Sequence, residues 1–181
     1  MVKRDAAGQY HRDDGFGACS DFGMARGRVA GTIADGRSIT GRLMTMIRID
    51  AGPFTFTARM EVAAAPKTCA KFNSMLPYRQ KIIHVRWSGE GCWIPLGSLD
   101  LGLTHENATS HPAPGEILLY PGGLSETEIL LAYGAVQFSS KVGQLAGNHF
   151  LTIVEGRENL RPLGELVLWK GAQEITFAES S

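Results

Sequence analysis

Residues 115–134 read Gly-Glu-Ile-Leu-Leu-Tyr-Pro-Gly-Gly-Leu-Ser-Glu-Thr-Glu-Ile-Leu-Leu-Ala-Tyr-Gly, and the rest of the chain is organised around this segment. Two short apolar runs flank a Pro-Gly-Gly bend, and their length and composition predict a buried β-hairpin. Two strands alone are not stable in water, so other segments must close around them. Because nearly every position in both runs is apolar, we expect one face to meet the interior and the other to be covered by a helix, a loop or a partner.

The segments around this hairpin predict further strands and two short helices. Residues 54–61 alternate apolar and polar side chains, which is typical of a half-buried antiparallel strand. Residues 66–77 are bounded by prolines and carry apolar side chains at helical spacing, and residues 158–169 carry a second such pattern. Further strands are predicted at residues 46–49, 78–87, 92–96, 149–154 and 174–177.

This order of elements indicates a mainly β fold. Numerous short strands with only two helices favour a closed β-barrel plugged at its ends, because closure removes the exposed edges of an open sheet. Residues 1–43 differ from the rest, with a glycine every few residues and too few apolar side chains for a core of their own. We predict an N-terminal extended arm over residues 1–43, packed on its own barrel or on a neighbouring subunit or else a flexible leader, and a barrel domain over residues 44–181.

Composition excludes several classes of function. The 181 residues suit one domain, and 18 basic residues balance 18 acidic ones without a basic block, so we expect no nucleic-acid or membrane partner. No apolar run approaches the roughly twenty residues that span a bilayer, and the N terminus lacks the apolar core of a secretory signal. Cys19, Cys69 and Cys92 are an odd number at unrelated spacings, which fits free thiols in a reducing compartment. We predict a cytoplasmic protein.

Two separated segments resemble the cyclophilins. Residues 54–76 combine an amphipathic strand, an Ala-rich turn and Pro-Lys-Thr-Cys-Ala-Lys-Phe at residues 66–72. Residues 149–163 contain Phe-Leu-Thr-Ile-Val-Glu-Gly-Arg-Glu-Asn-Leu, similar to the closing strand, Val-Glu-Gly bend and second helix of that family. Within that superfamily, the Leu-Pro after the helix, Trp-Ser-Gly-Glu at residues 87–90 and the Gly-Glu-Ile-x-x-Tyr-Pro hairpin are similar to small bacterial cyclophilin-like proteins of unknown function. The resemblance covers residues 46–178 and implies a closed eight-stranded cyclophilin-like barrel with a capping helix at each end.

One departure from the cyclophilins concerns their peptidyl-prolyl cis-trans isomerase activity. Active cyclophilins present an arginine within Phe-His-Arg, followed by Gln-Gly-Gly-Asp, whereas here Arg86 follows His84 by two positions and no such segment comes after it. A shift of one residue turns a strand side chain to the opposite face, so Arg86 is expected to point away from the groove where a cation would lower the X-Pro barrier. Isomerase activity is therefore an alternative only.

Aromatic and ionisable residues on strands that the barrel brings together suggest a ligand pocket. Apolar walls exclude water while a few charged groups fix a ligand's orientation, as small-molecule sites require. The competing interpretation is that the aromatic rings fill the core and that Arg86 pairs with Glu90 or Glu128 at the surface. The predicted ligand-binding residues are Arg86, Glu90, Trp93, Tyr120, Glu128, Tyr133 and His149.

Other constellations are weaker. His105, Glu106 and His111 share one polar loop, but their spacing is not that of a helical zinc site, so a solvated loop is expected. Cys92 with His84 on the adjoining strand would suit a thiolate and its base, although a buried structural thiol is the simpler expectation.

Three functions remain open. The first is a module that binds a small or peptidic ligand, the second the isomerase, and the third a small-molecule hydrolase, lyase or isomerase that uses the same pocket. We expect no metal and no cofactor, we expect a homo-oligomer formed through the arm or the hairpin, and we assign no catalytic residue.

Overall fold

A computed structural model describes residues 46–180 and two short strands, Lys3–Arg4 and Tyr10–His11, which pair antiparallel. The predicted arm over residues 1–43 lies outside the described residues apart from that pair. Its role, and the domain boundary drawn from it, stay predictions.

Eight antiparallel strands form a closed barrel, as the sequence predicts. In chain order they are β1 (Met46–Ala51), β2 (Phe54–Met60), β3 (Tyr78–His84), β4 (Gly89–Pro95), β5 (Glu116–Tyr120), β6 (Glu128–Val136), β7 (Gly147–Glu155) and β8 (Gln173–Glu179). Around the barrel the order is β2-β1-β8-β3-β4-β6-β5-β7, and pairing of β7 with β2 closes the ring. Strands β5 and β6 form the hairpin predicted at residues 115–134. Residues 121–127 join them, so the connection is longer than the Pro-Gly-Gly bend alone.

The barrel interior is one apolar cluster to which every strand contributes. Alternation along β2 places Phe56, Ala58 and Met60 in this cluster, as the sequence pattern indicates. Burial of a large apolar side chain such as Phe56 or Met60 stabilises the fold by roughly 1.5–3 kcal/mol relative to exposure. The interior is therefore filled by the protein's own side chains.

Two α-helices cover opposite ends of the barrel. Helix α1 (Pro66–Asn73) inserts Phe72, whose ring lies 4.8 Å from that of Phe150 and 5.2 Å from that of Phe177, near the end of β8. Helix α2 (Leu160–Lys170) packs Leu163 and Val167 on the same interior cluster and places Leu166 beside Gly52 and Gln173, where β8 begins. Both predicted capping helices are confirmed, the first ending before Pro77 at Asn73.

One predicted strand is too long. Strand β3 ends at His84, and a 3-10 turn over Arg86–Ser88 replaces the extended chain expected through Trp87. Gly89 follows with a φ of 99°, a left-handed conformation that favours glycine. This turn carries Arg86 and Trp87 off the barrel wall.

Phe72 should be a principal contributor to stability. We expect Phe72→Ala to lower the free energy of unfolding by about 3–5 kcal/mol, because it empties a site enclosed by other aromatic rings. Urea denaturation followed by circular dichroism measures this loss. The exposed Lys67→Ala change on the same helix is the control, and a loss for Phe72→Ala no larger than the control's would contradict the packing described here.

Candidate functional site

The outer face of β4, β5 and β6 is buried beneath the segment 137–146. Phe138 and Leu145 from this segment join Trp93, Leu118 and other wall residues in a second apolar cluster. The segment is held by its backbone, since the Phe138 N–H donates to the Ser110 carbonyl at 2.7 Å. A loop of the same chain therefore covers the second face of the β5–β6 hairpin, as expected.

A groove opens at the edge of this cover, and we call it the outer-wall groove. It has a volume of about 420 Å³, within the range of small-molecule sites. Its lining residues are Trp87, Trp93, Ser125, Glu126, Glu128, Ser140 and Lys141.

Two indole rings form one side of the groove. Trp93 lies on β4 and is 9% exposed, whereas Trp87 lies on the 3-10 turn and is 58% exposed. Their ring centroids are 5.6 Å apart and their planes meet at 77°, an edge-to-face arrangement. Within residues 46–180 the Trp93 Nε1–H finds no hydrogen-bond acceptor. An indole N–H without an acceptor away from water costs free energy.

Glu128 contributes a carboxyl group to the groove lining. It is the first residue of β6, opposite Tyr120 of β5 and Pro95 of β4, and only 4% of it is exposed. Its Oε1 has no hydrogen-bond partner among the described residues. Burial, reinforced by the charge of Glu126, raises the pKa of Glu128 to about 7. Near neutral pH both protonation states of this carboxyl are therefore populated.

The groove lining therefore includes two indole rings and an ionisable carboxyl group, and Trp93 and Glu128 each carry a buried polar atom with no partner among residues 46–180. Restoring hydrogen bonds to a buried donor and acceptor is favourable. A carboxyl with a pKa near the working pH is also suited to proton transfer. The arrangement can support either recognition of a ligand or acid–base chemistry.

The structure divides the seven predicted residues among four places. Trp93 and Glu128 line the outer-wall groove, and Tyr120 is buried beside them in the outer apolar cluster. Its hydroxyl accepts a hydrogen bond from the Leu124 N–H at 3.2 Å. The remaining four, Arg86, Glu90, Tyr133 and His149, do not line this groove.

Glu90 and Tyr133 lie at the α2 end of the barrel. The Tyr133 hydroxyl and His84 Nε2 are 2.8 Å apart, and Glu90 accepts a hydrogen bond from Arg161 of α2 at 2.9 Å. Burial, with a smaller effect of Arg86, lowers the pKa of His84. The pairing of Arg86 with Glu90 or Glu128, which the competing interpretation required, does not occur among residues 46–180, and Arg161 binds Glu90 instead.

Arg86 itself is exposed on the 3-10 turn. It does not line the outer-wall groove. Of the predicted ligand-binding residues, Trp93 and Glu128 line the groove, and Arg86 does not.

His149 belongs to a polar chain on β7. Its Nε2 lies 2.9 Å from the Thr152 hydroxyl, which donates to Glu61 at 2.7 Å. Burial opposes ionisation of Glu61, but hydrogen bonds from Thr152 and Arg59 outweigh it and lower the pKa of that carboxyl. Thr152 uses its single hydroxyl proton in the hydrogen bond to Glu61. His149 must therefore donate a hydrogen bond to the Thr152 oxygen, and it is not placed to remove the Thr152 proton as a base.

The weaker constellations have structural roles. Glu106 accepts hydrogen bonds from the Thr68 N–H at 2.6 Å and from the Thr68 hydroxyl at 2.7 Å, so a distant loop residue caps the start of α1. No group of three or more metal-ligating side chains occurs in the part of the chain that the structure describes. Cys92 lies opposite His84 but is fully buried, and burial raises the pKa of its thiol to about 12.

Sequence reasoning missed several groove residues. Trp87 was assigned to a strand, and Ser140 and Lys141 come from a small hairpin, Ser139–Ser140 with Gly143–Gln144, that no pattern indicated. The position of Glu126 beside Glu128 could be predicted, because the two residues are two positions apart and alternate residues of an extended chain lie on the same side.

The fold and the groove define a closed, eight-stranded antiparallel barrel protein with a candidate binding site on its outer wall. The family model for a protein of unknown function (DUF3830) matches residues 47–179, which is well over half of the chain, and the chain belongs to this family. No functionally curated protein matches the sequence.

Solved structures share the fold. One is McbB in complex with tryptophan, with a TM-score of 0.57 and 17% identity, covering 75% of this chain. This chain spans only 45% of the McbB chain. Another is the hypothetical protein AF2241 from Archaeoglobus fulgidus, with a TM-score of 0.54 and 14% identity, covering 79% of this chain and 100% of that one. At such identities the likeness concerns the fold alone. Within the described ranges, neither α-helix has the length and apolar character needed to cross a bilayer.

The buried carboxyl of Glu128 should make stability depend on pH. Because folding raises the pKa of Glu128 from 4.5 to about 7, protonation of this carboxyl stabilises the folded state. This stabilisation is present at low pH and is lost as pH rises through 7. We expect the free energy of unfolding of the wild type to fall by about 2 kcal/mol more than that of Glu128→Gln between pH 5 and 8.

Urea denaturation at four pH values across this window gives the comparison. His84, with its lowered pKa, acts in the opposite sense in both proteins, so the difference between them isolates Glu128. Parallel curves for the wild type and the variant would show that Glu128 ionises normally.

Gly164 should be required for the close approach of α2 to Tyr133. A Cβ atom at this position would lie 2.5 Å from the Tyr133 ring. Alanine normally favours a helix over glycine by about 1 kcal/mol, but here we expect Gly164→Ala to destabilise the protein by about 1–3 kcal/mol. Thermal unfolding measures the sign, with Glu165→Ala on the exposed face as the control, and a stabilised Gly164→Ala protein would contradict the contact.

Proposed function

We propose that this protein binds a small ligand in the outer-wall groove. The observation that carries the proposal is that Trp93 and Glu128, both largely buried, line the same groove and each retain a polar atom with no partner among residues 46–180. Buried polar groups in native proteins are almost always hydrogen-bonded, and exceptions frequently mark functional sites. A ligand that offers one acceptor and one donor would complete both side chains.

The access route is the exposed side of the groove. Trp87 covers part of Trp93 and is itself mostly exposed, so its side chain has room to move when a ligand enters. Exposed Leu124 and Val142 are sequence neighbours of the lining residues Ser125 and Lys141. Apolar side chains at the rim favour a ligand with an apolar body.

The proposal also includes the superfamily, the cellular location and the oligomeric state of the protein. Membership of the cyclophilin-like superfamily is supported by the motifs at residues 66–72 and 115–121, and a cytoplasmic location by the free thiols of Cys69 and Cys92. A homo-oligomer is supported by the rim of exposed apolar side chains near the groove. A small organic ligand fits the volume of the groove, and a short peptide segment remains within the proposal.

A second candidate is an enzyme that uses the same groove. It is favoured by Glu128, because a carboxyl with a pKa of about 7 has both protonation states available for acid–base catalysis near neutral pH. It differs from simple binding in predicting turnover that Glu128→Gln removes. For the prolyl isomerase alternative, the exposed position of Arg86 on a turn supplies no support.

A thermal-shift screen tests the binding proposal. The panel contains amines, carboxylic acids, amides and amino acids, including the tryptophan found with McbB. A ligand present at one hundred times its dissociation constant should add about 2.7 kcal/mol of stability. We expect at least one hit whose shift is lost in Trp87→Leu, a change at an exposed position that leaves the barrel intact.

The matched control is Trp169→Leu, because Trp169 is 75% exposed on α2, outside the groove lining. It should keep the full shift. Hits that respond equally to both tryptophan changes, or to neither, would place binding elsewhere and reject the groove as the site.

A further inference from the structure

The charges around the outer-wall groove are predominantly negative. Glu126 and Glu128 line it, and a neighbouring depression of about 580 Å³ shares Glu126 and adds Asp100. Lys141 is the basic group among the lining residues. Within residues 46–180, none of these four side chains is in an ion pair. The acidic groups therefore have no protein counter-ion in the described chain.

Glu128 differs from the carboxylates of an ordinary acidic surface cluster because it is buried. It is 4% exposed, it lines the groove and its Oε1 lacks a partner. A buried carboxylate is costly unless a cation or several donors accompany it. The protein supplies neither to Oε1 in the described residues, so the missing partner is expected to come from the ligand.

The indole rings favour the same kind of ligand. The π-faces of tryptophan attract cations more strongly than other aromatic side chains do, and quaternary or alkylated ammonium groups are recognised by such rings. Trp87 and Trp93 are nearly perpendicular and lie on the same groove as the carboxyl. Two ring surfaces and a carboxylate together form a site for a positively charged nitrogen on a small body.

Building on the proposed binding function, we propose that the groove recognises a small organic cation, namely an amine or alkylated ammonium on a compact apolar body. Its nitrogen pairs with Glu128 and contacts the indole faces, and an acceptor atom of the ligand or a bound water receives the Trp93 N–H. Lys141 opposes the cation, but it is exposed, and a long hydrated side chain can turn away into solvent.

The ionisation of Glu128 should be coupled to binding. The titratable groups that line the groove with Glu128 are Glu126 from the preceding loop and Lys141 from the small hairpin. Tyr120 of β5 lies opposite it in the strand register, and β4 places Pro95 opposite it and Trp93 in the same lining. A cation binds the ionised carboxylate, so the affinity should rise with pH. With a pKa of about 7, the ionised fraction increases about tenfold between pH 6 and 8.

The experiment measures binding of matched probes by tryptophan fluorescence. It uses the full chain with Trp169→Phe, so that Trp87 and Trp93 alone report. The cations are benzylammonium, 2-phenylethylammonium and phenyltrimethylammonium, and the matched neutral and anionic probes are 2-phenylethanol and phenylacetate. We expect at least one cation to bind at least tenfold more tightly than either matched probe at pH 8.

Variants then test the role of each charge. Glu128→Gln should weaken the cation about tenfold, leave 2-phenylethanol unchanged and abolish the pH dependence, which a purely structural role would not do. Lys141→Met should strengthen cation binding. Glu174→Gln, an exposed carboxylate on β8 outside the groove lining, is the matched control and should change nothing.

Different outcomes separate this inference from the proposed function. If 2-phenylethanol or phenylacetate binds as tightly as the cations and Trp87→Leu weakens it, the groove is the binding site and the cationic ligand class is wrong. If cations bind but neither Trp87→Leu nor Glu128→Gln affects them, both proposals fail. If none of the three cations binds at millimolar concentration, the cationic ligand class is likewise overturned, and the screen of other ligand classes decides the binding function separately.

Discussion

The pairing of β7 with β2 is the constraint on which the rest of the structure depends. It joins Leu151 to Met60 and Ile153 to Ala58, with a register shift after Ile153 that helps the sheet bend into a ring. Once the ring is closed, its inner face is a sealed volume that the chain itself must fill, and α1 and α2 complete it at opposite ends. A ligand site must then be built on the outside of the barrel.

The outer wall meets that requirement because part of it behaves as a second core. Segment 137–146 buries the outer face of β4, β5 and β6, and the outer-wall groove begins where this cover stops. Trp93 and Glu128 sit at that boundary, where apolar surroundings raise the cost of an unpaired polar atom. The site is thus produced by incomplete coverage of an apolar wall.

Much of the fold could be predicted from the sequence, since alternation and short apolar runs specify strands directly. The site was only partly predictable, and the reason is the two-residue period of a strand. Glu90 and Trp93 are three positions apart on β4, and Glu128 and Tyr133 are five apart on β6, so each pair points to opposite faces. Trp87 and Lys141 reach the groove from a turn and a hairpin that carry no periodic signal.

Segment 137–146 is attached to the barrel largely through the turn after β3, where the Ser88 hydroxyl donates to the Ser139 carbonyl at 2.9 Å and the Gln137 N–H donates to the Ser88 carbonyl at 3.0 Å. These bonds do not take part in the strand register. Insertions or deletions between positions 140 and 144 would therefore reshape the mouth of the cleft while ring closure stays intact. The length of one surface connection can thus vary, and with it the shape of the proposed binding site, while the scaffold is held constant.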